Sequence, residues 1–358
     1  MSALFKHRLA WPLVTLLLLL LLNAVFNSSF LHLEWRDGHL YGSLIDILNR
    51  AAPLMLVSLG MTLVIATRGI DISVGAVVAI AAAIAAWMIG GSLVIVDGVA
   101  THASRFPMWA ALLGALGVAL LCGLWNGVLV ARVGMQPIIA TLILMVAGRG
   151  IAQLITGGQI ITIYYGPYFF LGSGYLLGLP FSLFIAAAVF VLLWWVTTRT
   201  ALGLFIQAVG VNPSAARVAG VRARRITVWV YAFCGLCAGA AGLIVSSNVK
   251  SADGNNAGQL MELDAILAVT LGGTALTGGR FSLAGSVIGA LIIQTLTYAI
   301  YSLGVPPEVN LVVKAGVVFA VMLLQSPEFR QSLRSLVQRP ALGERPGERP
   351  GERPGVKA

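Results

Sequence analysis

The sequence predicts an all-α polytopic membrane protein of about ten transmembrane helices, with both termini in the cytosol. Three observations carry that prediction. Of 358 residues, 58% are hydrophobic and only 10% are charged, whereas a soluble domain carries roughly 25% charged residues. Such a chain cannot cover itself with a water-facing surface. Its apolar residues gather into runs close to the ~20 residues that a spanning helix needs. Its Lys and Arg fall mostly in alternate connections, the bias of inner-membrane proteins.

The runs cover residues 9–31, 45–67, 71–91, 107–132, 137–156, 178–197, 227–248, 262–276, 281–303 and 308–325. The first follows Lys6-His7-Arg8, as a signal peptide would. No small-x-small cleavage site follows it and more spans come after, so an uncleaved first span is expected. The third and eighth runs are Gly-rich and begin at Asp71 and beside Asp264. With the N-terminus inside, 17 of the 23 Lys and Arg lie on the cytosolic side, including Arg217, Arg222, Arg224 and Arg225 of the central loop. The 41 glycines suit close helix packing in lipid. Residues 1–325 read as one transmembrane domain carrying a cytosolic loop at 198–226, and 326–358 as a cytosolic tail. The tail ends in a Gly-Glu-Arg-Pro repeat that cannot pack a core and is expected to be disordered. Runs three to five and eight to ten share an order: an Asp-led Gly-rich segment, a helix, a Gly/Pro turn (Gly134 to Pro137; Gly304 to Pro306) and a helix. An offset of five spans makes such copies an inverted repeat, as in many transporters.

Several function classes are excluded. The chain holds no G-x-x-x-x-G-K-[ST], so it does not bind ATP through a P-loop of its own. It has no H-E-x-x-H among its four histidines and no G-x-S-x-G elbow. No catalytic residue, metal or cofactor is expected, and the chain reads as a non-enzyme. Its basic excess is explained by topology, so no nucleic acid partner is expected. Cys234-Gly-Leu-Cys237 is formally C-x-x-C, but in an apolar run it reads as two small buried hydrophobes.

Polar residues inside the oily regions are the candidates for function. Asp71, Ser73 and Gly75 lie in a charged, Gly-bearing break, Gly69-Ile-Asp-Ile-Ser-Val-Gly75. Asp71 could cap the third span or line or gate a pathway. The external stretch with Asn255 and Asn256 leads through Glu262 and Asp264 to Gly272-Gly273. It reads as a turn followed by close packing, or as an outer mouth whose glycines permit a bend. Asn126, Arg149 and Lys314 are isolated polar groups in spans, either helix glue, snorkelling side chains or pathway groups. A carboxylate on a pathway would suit the alternative of an ion-coupled secondary transporter of small polar solutes, with Asp71 and Asp264 as its candidates.

The stretch QAVGVNPSAARVAGVRARRI, residues 207–226, interrupts the oil with four arginines and no carboxylate. Asn212-Pro213 is a helix-start signal and Gly220 a stop. The two turns between them are too short to be stable alone, so they are expected to dock on a partner. Ala215, Ala216, Val218 and Ala219 supply a small apolar face for a shallow protein groove.

These features converge on a resemblance. Gly203, Ala208, Gly210, Asn212, Ala215, Ala216, Arg217 and Gly220, at their spacing here, resemble the cytosolic coupling segment of carbohydrate ABC-importer permeases of the ribose, xylose and galactose group. Gly69-Ile-Asp71-Ile-Ser73-Val-Gly75 is similar to that group's G-I-D-L-S-V-G signature, with Ile72 for Leu. Glu262-Leu-Asp264 and Gly272-Gly273-Thr274 through Arg280 are similar to its third block. Together these cover about residues 40–325. Runs at 43–53, 140–150 and 252–258 are most similar to the galactofuranose permeases within the group. The resemblance implies ATP-binding cassette ATPase subunits that push on the short helix at Pro213. It also implies a periplasmic sugar-binding protein, a second permease copy or homologous permease, and the membrane lipid itself as partners.

Overall fold

Inside a bilayer every backbone N–H and C=O must find an internal partner, so apolar runs fold as helices or closed barrels. The computed structural model describes residues 9–325, apart from 28, 37, 91, 97, 98, 305 and 306. It is helical nearly throughout. The helices are α1 (Ala10–Phe26), α2 (Ser43–Ala66), α3 (Val74–Ile89), α4 (Met108–Val128), α5 (Pro137–Thr156), α6 (Gly166–Ser173) and α7 (Phe181–Arg199). They continue as α8 (Ala201–Val211), α9 (Pro213–Val218), α10 (Ala223–Val249), α11 (Met261–Leu271), α12 (Leu283–Ser302) and α13 (Pro307–Gln325). A π-helical turn, Leu129–Val133, extends α4. The short strands described pair only in two-stranded antiparallel ribbons.

Among the described residues, six helices are long and apolar enough to cross a membrane: α2, α4 with its π turn, α5, α7, α10 and α12. The chain is a multi-pass membrane protein. The eighth expected span, 262–276, is only partly helical. Its helix α11 has 11 residues, about 16 Å at 1.5 Å per residue against a hydrocarbon core of ~30 Å. It stops at Leu271 because Gly272 is packed directly on Gly285 of α12 and Gly273 takes a left-handed φ of 83°. The third run is trimmed too: α3 starts at Val74, because 67–73 form the connection from α2. The 326–358 tail and part of the Gly304–Pro306 turn lie outside the described residues.

The interior belongs to α2 and α10. In the apolar window of α2, 83% of residues are buried within the chain, against 17% for α7, whose exposed face suits lipid or a partner. Small residues allow the approach. A Cβ on Gly60 of α2 would strike the Cα of Cys234, and one on Gly235 of α10 would strike the Ala119 carbonyl of α4. Cys234 and Cys237 are free thiols buried at the α2–α10 crossing. The chain puts α8, α9 and the start of α10 at one end, and the 250–260 connection at the other, separated by the 27 residues of α10, about 40 Å.

Candidate functional site

The loop after α7 is more ordered than a basic linker. Thr200 caps α8, its hydroxyl accepting the Leu202 amide. Gly203 fits because any side chain there would strike the Thr197 carbonyl, and Ala208 is half-buried on the same helix. Asn212 ends α8 and caps α9, its side-chain oxygen accepting the Ser214 and Ala215 amides at 3.0 and 3.1 Å. Pro213 occupies the first helical position, where its missing N–H costs nothing. At the other end the Gly220 amide donates to Arg217 and the Val221 amide to Ala216, with Gly220 at φ 83°. This is a Schellman closure, so both expected helix signals are met.

The face of α9 divides. Ala216 is turned inward onto Val209 and Ala223, whereas Ala215, Arg217, Val218 and Ala219 point outward. Val218 is 91% exposed. A large side chain in place of Ala216 would therefore unseat α9 from its own chain, whereas a change at Val218 leaves that seat intact.

The seat of α9 leads to a three-way junction. Gly210 lies so close to the end of α2 that a Cβ would run into the Ala66 carbonyl and the Gly279 amide. The Gly279 amide donates to that same carbonyl at 2.9 Å. Arg68, in the left-handed region at φ 64°, donates to the Val211 carbonyl at 2.6 Å and the Thr277 carbonyl at 3.2 Å. The loop helices, the end of α2 and the segment after α11 are thus tied at one point. Arg68 and Thr277 were not among the expected site residues. The signal for Arg68 was its place at the charged break.

Above that junction the break before α3 is pinned. Asp71 does not cap α3. Its Oδ1 accepts the Ser73 amide at 3.0 Å and the Ser73 hydroxyl at 2.6 Å, which holds the connection ahead of the helix. Asn126 of α4 donates to Ser73 Oγ at 2.8 Å and to Asp71 at 3.3 Å. All three side chains are buried and bonded to one another across the break. Two residues on, Gly75 sits against the carboxylate of Glu262 and the Gly258 carbonyl, where no side chain fits. Glu262 is buried, and its Oε2 has no hydrogen-bond partner among the described residues. Arg149 is not lone: it donates to the Ala257 carbonyl at 2.6 Å.

The opposite end is more open. Asn255 and Asn256 are exposed and fold back on Asp253, with the Asn255 amide at 2.8 Å and the Asn256 side chain at 2.7 Å. Burial pushes the Asp253 carboxyl slightly up, but these hydrogen bonds outweigh it and hold it below the usual carboxylate range. Gln153 of α5 ties the loop down through Asn255 at 2.7 Å. Asp264 neither caps α11, which starts at Met261, nor stands alone. It accepts Lys314 of α13 at 2.6 Å. Lys314 therefore does not snorkel; each of the two charges neutralises the other.

Comparison with known proteins fits this architecture. Residues 43–322 match the family model described as "Branched-chain amino acid transport system / permease component". The chain is 51% identical to the galactofuranose transporter permease protein YtfT of Escherichia coli K12, over 93% of this chain and 96% of that protein. It is 38% identical to the fructose import permease protein FruF of Bifidobacterium longum, over 95% and 93% of the two chains. To the ribose import permease protein RbsC of Bacillus subtilis it is also 38% identical, over 87% and 91%. No solved structure gives a significant match. Through a model match that spans most of its length, and through relatives matched nearly end to end, the chain belongs to this family of transport-system permease components.

Proposed function

We propose that this chain is the membrane permease subunit of an ATP-binding-cassette importer that carries a monosaccharide from periplasm to cytosol. The relatives' sugars support galactofuranose, or a related pentose or hexose, as the cargo. The observation that carries the reading is α9: two turns capped at both ends, seated by Ala216, tied through Gly210 to α2 and presenting Ala215, Val218 and Ala219 outward. A knob of this kind receives force from a partner and passes it to the broken segments. ATP is hydrolysed on two cassette ATPase subunits. A periplasmic binding protein delivers the sugar, and a second permease copy or a homologous permease completes the passage.

In this reading the chain crosses about ten times, with both termini and the α8–α9 loop in the cytosol. Its halves form an inverted repeat. The short helices α3 and α11 support the repeat, since their N-terminal ends meet where Gly75 abuts Gly258 and Glu262. Asp71, Ser73, Gly75, Asn126 and Glu262 brace the gate, Gly272 and Gly273 form its joint with α12, and Asn255 and Asn256 belong to the outer mouth. The alternative, an ion-coupled carrier, is disfavoured because both carboxylates expected on its pathway, Asp71 and Asp264, are already engaged. Asp71 is held by Ser73 and Asn126, and Asp264 by Lys314.

The test is uptake of labelled galactofuranose, ribose and fructose into proteoliposomes holding the permease, its ATPase and its binding protein. Uptake should require ATP and survive a protonophore. Uptake that needs no ATP and collapses with the proton gradient contradicts the proposal.

A further inference from the structure

We infer that the chain carries a monosaccharide-receiving subsite at the end away from α9, in a cleft between α2, α10 and α12. The inference rests on the sugar-importer reading and names a site for its cargo. The cleft is about 310 Å³, within the ~300–1,000 Å³ range of small-molecule pockets. Its polar lining is Asp46, Asn49 and Arg50 of α2, Asn248 of α10 and Gln294 of α12. Pro53, Val245 and Met261 supply apolar wall.

The position excludes a lipid-facing role. Asn49 is six residues into α2, about 9 Å along the axis, and Gln294 is eight residues from the end of α12, about 12 Å. Amides and charges at that depth are costly against hydrocarbon, so the cleft faces water or a subunit seam. A vestibule between permease copies meets that requirement.

The chemistry selects a neutral polyol. Asp46 and Arg50 are paired with each other at 3.0 Å on the rim, so neither offers an uncompensated charge to an ion. Below them only amides remain. Asn49 is fixed in orientation: its oxygen accepts the Ser182 hydroxyl at 2.6 Å, and its nitrogen donates to the Asn248 oxygen at 3.4 Å. That leaves the Asn248 nitrogen free to donate. Gln294 makes no side-chain hydrogen bond among the described residues, so it offers one acceptor and two donors. Vicinal hydroxyls both donate and accept and match such amides, while sugar C–H faces match Val245 and Met261. A zwitterionic amino acid needs separated charges in the depth of the site, which this cleft lacks. With no aromatic platform and an open rim, binding is weak, as a transit site requires.

The experiment uses the reconstituted importer with labelled galactofuranose, ribose and fructose, plus L-leucine. Gln294→Leu and Asn248→Ala should each cut ATP-driven uptake of the imported sugar by about 10-fold, with unchanged membrane insertion. In a second arm, Gln294→Cys is labelled with a charged thiol reagent. Cys234 and Cys237 are buried, and Cys122→Ser removes the half-buried third thiol. The imported sugar at millimolar concentration should slow labelling, and L-leucine should not. Wild-type uptake in both variants, or protection by leucine and not by sugar, overturns the subsite alone. A wild type that imports none of the three sugars overturns the importer reading with it.

Discussion

The two aspartate-led segments look alike in sequence and differ in structure. At the break before α3, Asp71 is only 1% exposed and is held by two neighbours, Ser73 and Asn126, in a closed interior seam. At α11, Asp264 sits near the edge, a quarter exposed, and meets one distant partner, Lys314 of α13. The first break is over-determined, with Asn126 of α4, Thr141 of α5 and Tyr231 of α10 all bonded to it. The second is also packed, with Glu262 on Gly75 and both Ala268 and Gly272 on α12, but Asp264 itself is held by a single ion pair. A permease that alternates between states needs one element that stays and one that moves. On this contrast we propose the α3 seam as the fixed element and the edge of α11 at Asp264 and Lys314 as the mobile one.

The contrast can be broken experimentally, starting with the seam. Gly75→Val should cost about 3 kcal/mol or more, because its side chain meets the Glu262 carboxylate and the Gly258 carbonyl. Thermal unfolding in detergent checks it, and an unchanged midpoint refutes the tight seam. Asp71→Ala should cost about 2 kcal/mol, since the buried Ser73 and Asn126 groups lose their acceptor. Lys314→Met leaves the mostly buried Asp264 carboxylate without its partner and should cost about 2 kcal/mol, discounted from a fully buried pair for its remaining exposure, yet slow transport more than it lowers stability if this edge of α11 is the moving part. Transport lowered by Lys314→Met no more than its stability loss accounts for, or slowed more by Asp71→Ala, reverses the assignment.

The smallest effect concerns pH at the outer loop. Asp253 has a folded value held below its ordinary 3.8, so its contribution is fully present above that value and is lost as pH falls through the lower folded one. Hydrogen exchange across 253–258 should be equally protected at pH 5 and pH 8, with loosening only below about pH 3.8. Loosening between pH 5 and 8 would show that another group holds the loop.

Much of the fold was legible because lipid leaves few options. The runs at 137–156 and 308–325 match α5 and α13 to within a residue, since Pro137 and the Pro306-Pro307 pair mark their starts. Asn212 and Gly220 announced α9 for local reasons: a capping side chain and a left-handed stop. What stayed hidden is long-range. Nothing near Asp264 points to Lys314, 50 residues away, or near Asp71 to Asn126. The end of the helix at Leu271 was hidden too, because the contact of Gly272 with Gly285 is tertiary. The amides of the cleft are scattered from Asn49 to Gln294, and each reads alone as an ordinary polar residue. Helix α8 was missed because its apolar run follows α7 after a single residue, Thr200.

The central claim is that α9 transmits force from an ATPase to the junction at Ala66 and Gly279. Its most direct test is ATP-driven sugar uptake by Val218→Asp in reconstituted vesicles. Val218 is 91% exposed, so the change spares the fold while putting a charge on the docking face. The account predicts normal insertion and stability with uptake reduced about 10-fold or more, the scale of an unpaired charge at an interface. Wild-type uptake by this variant would contradict it.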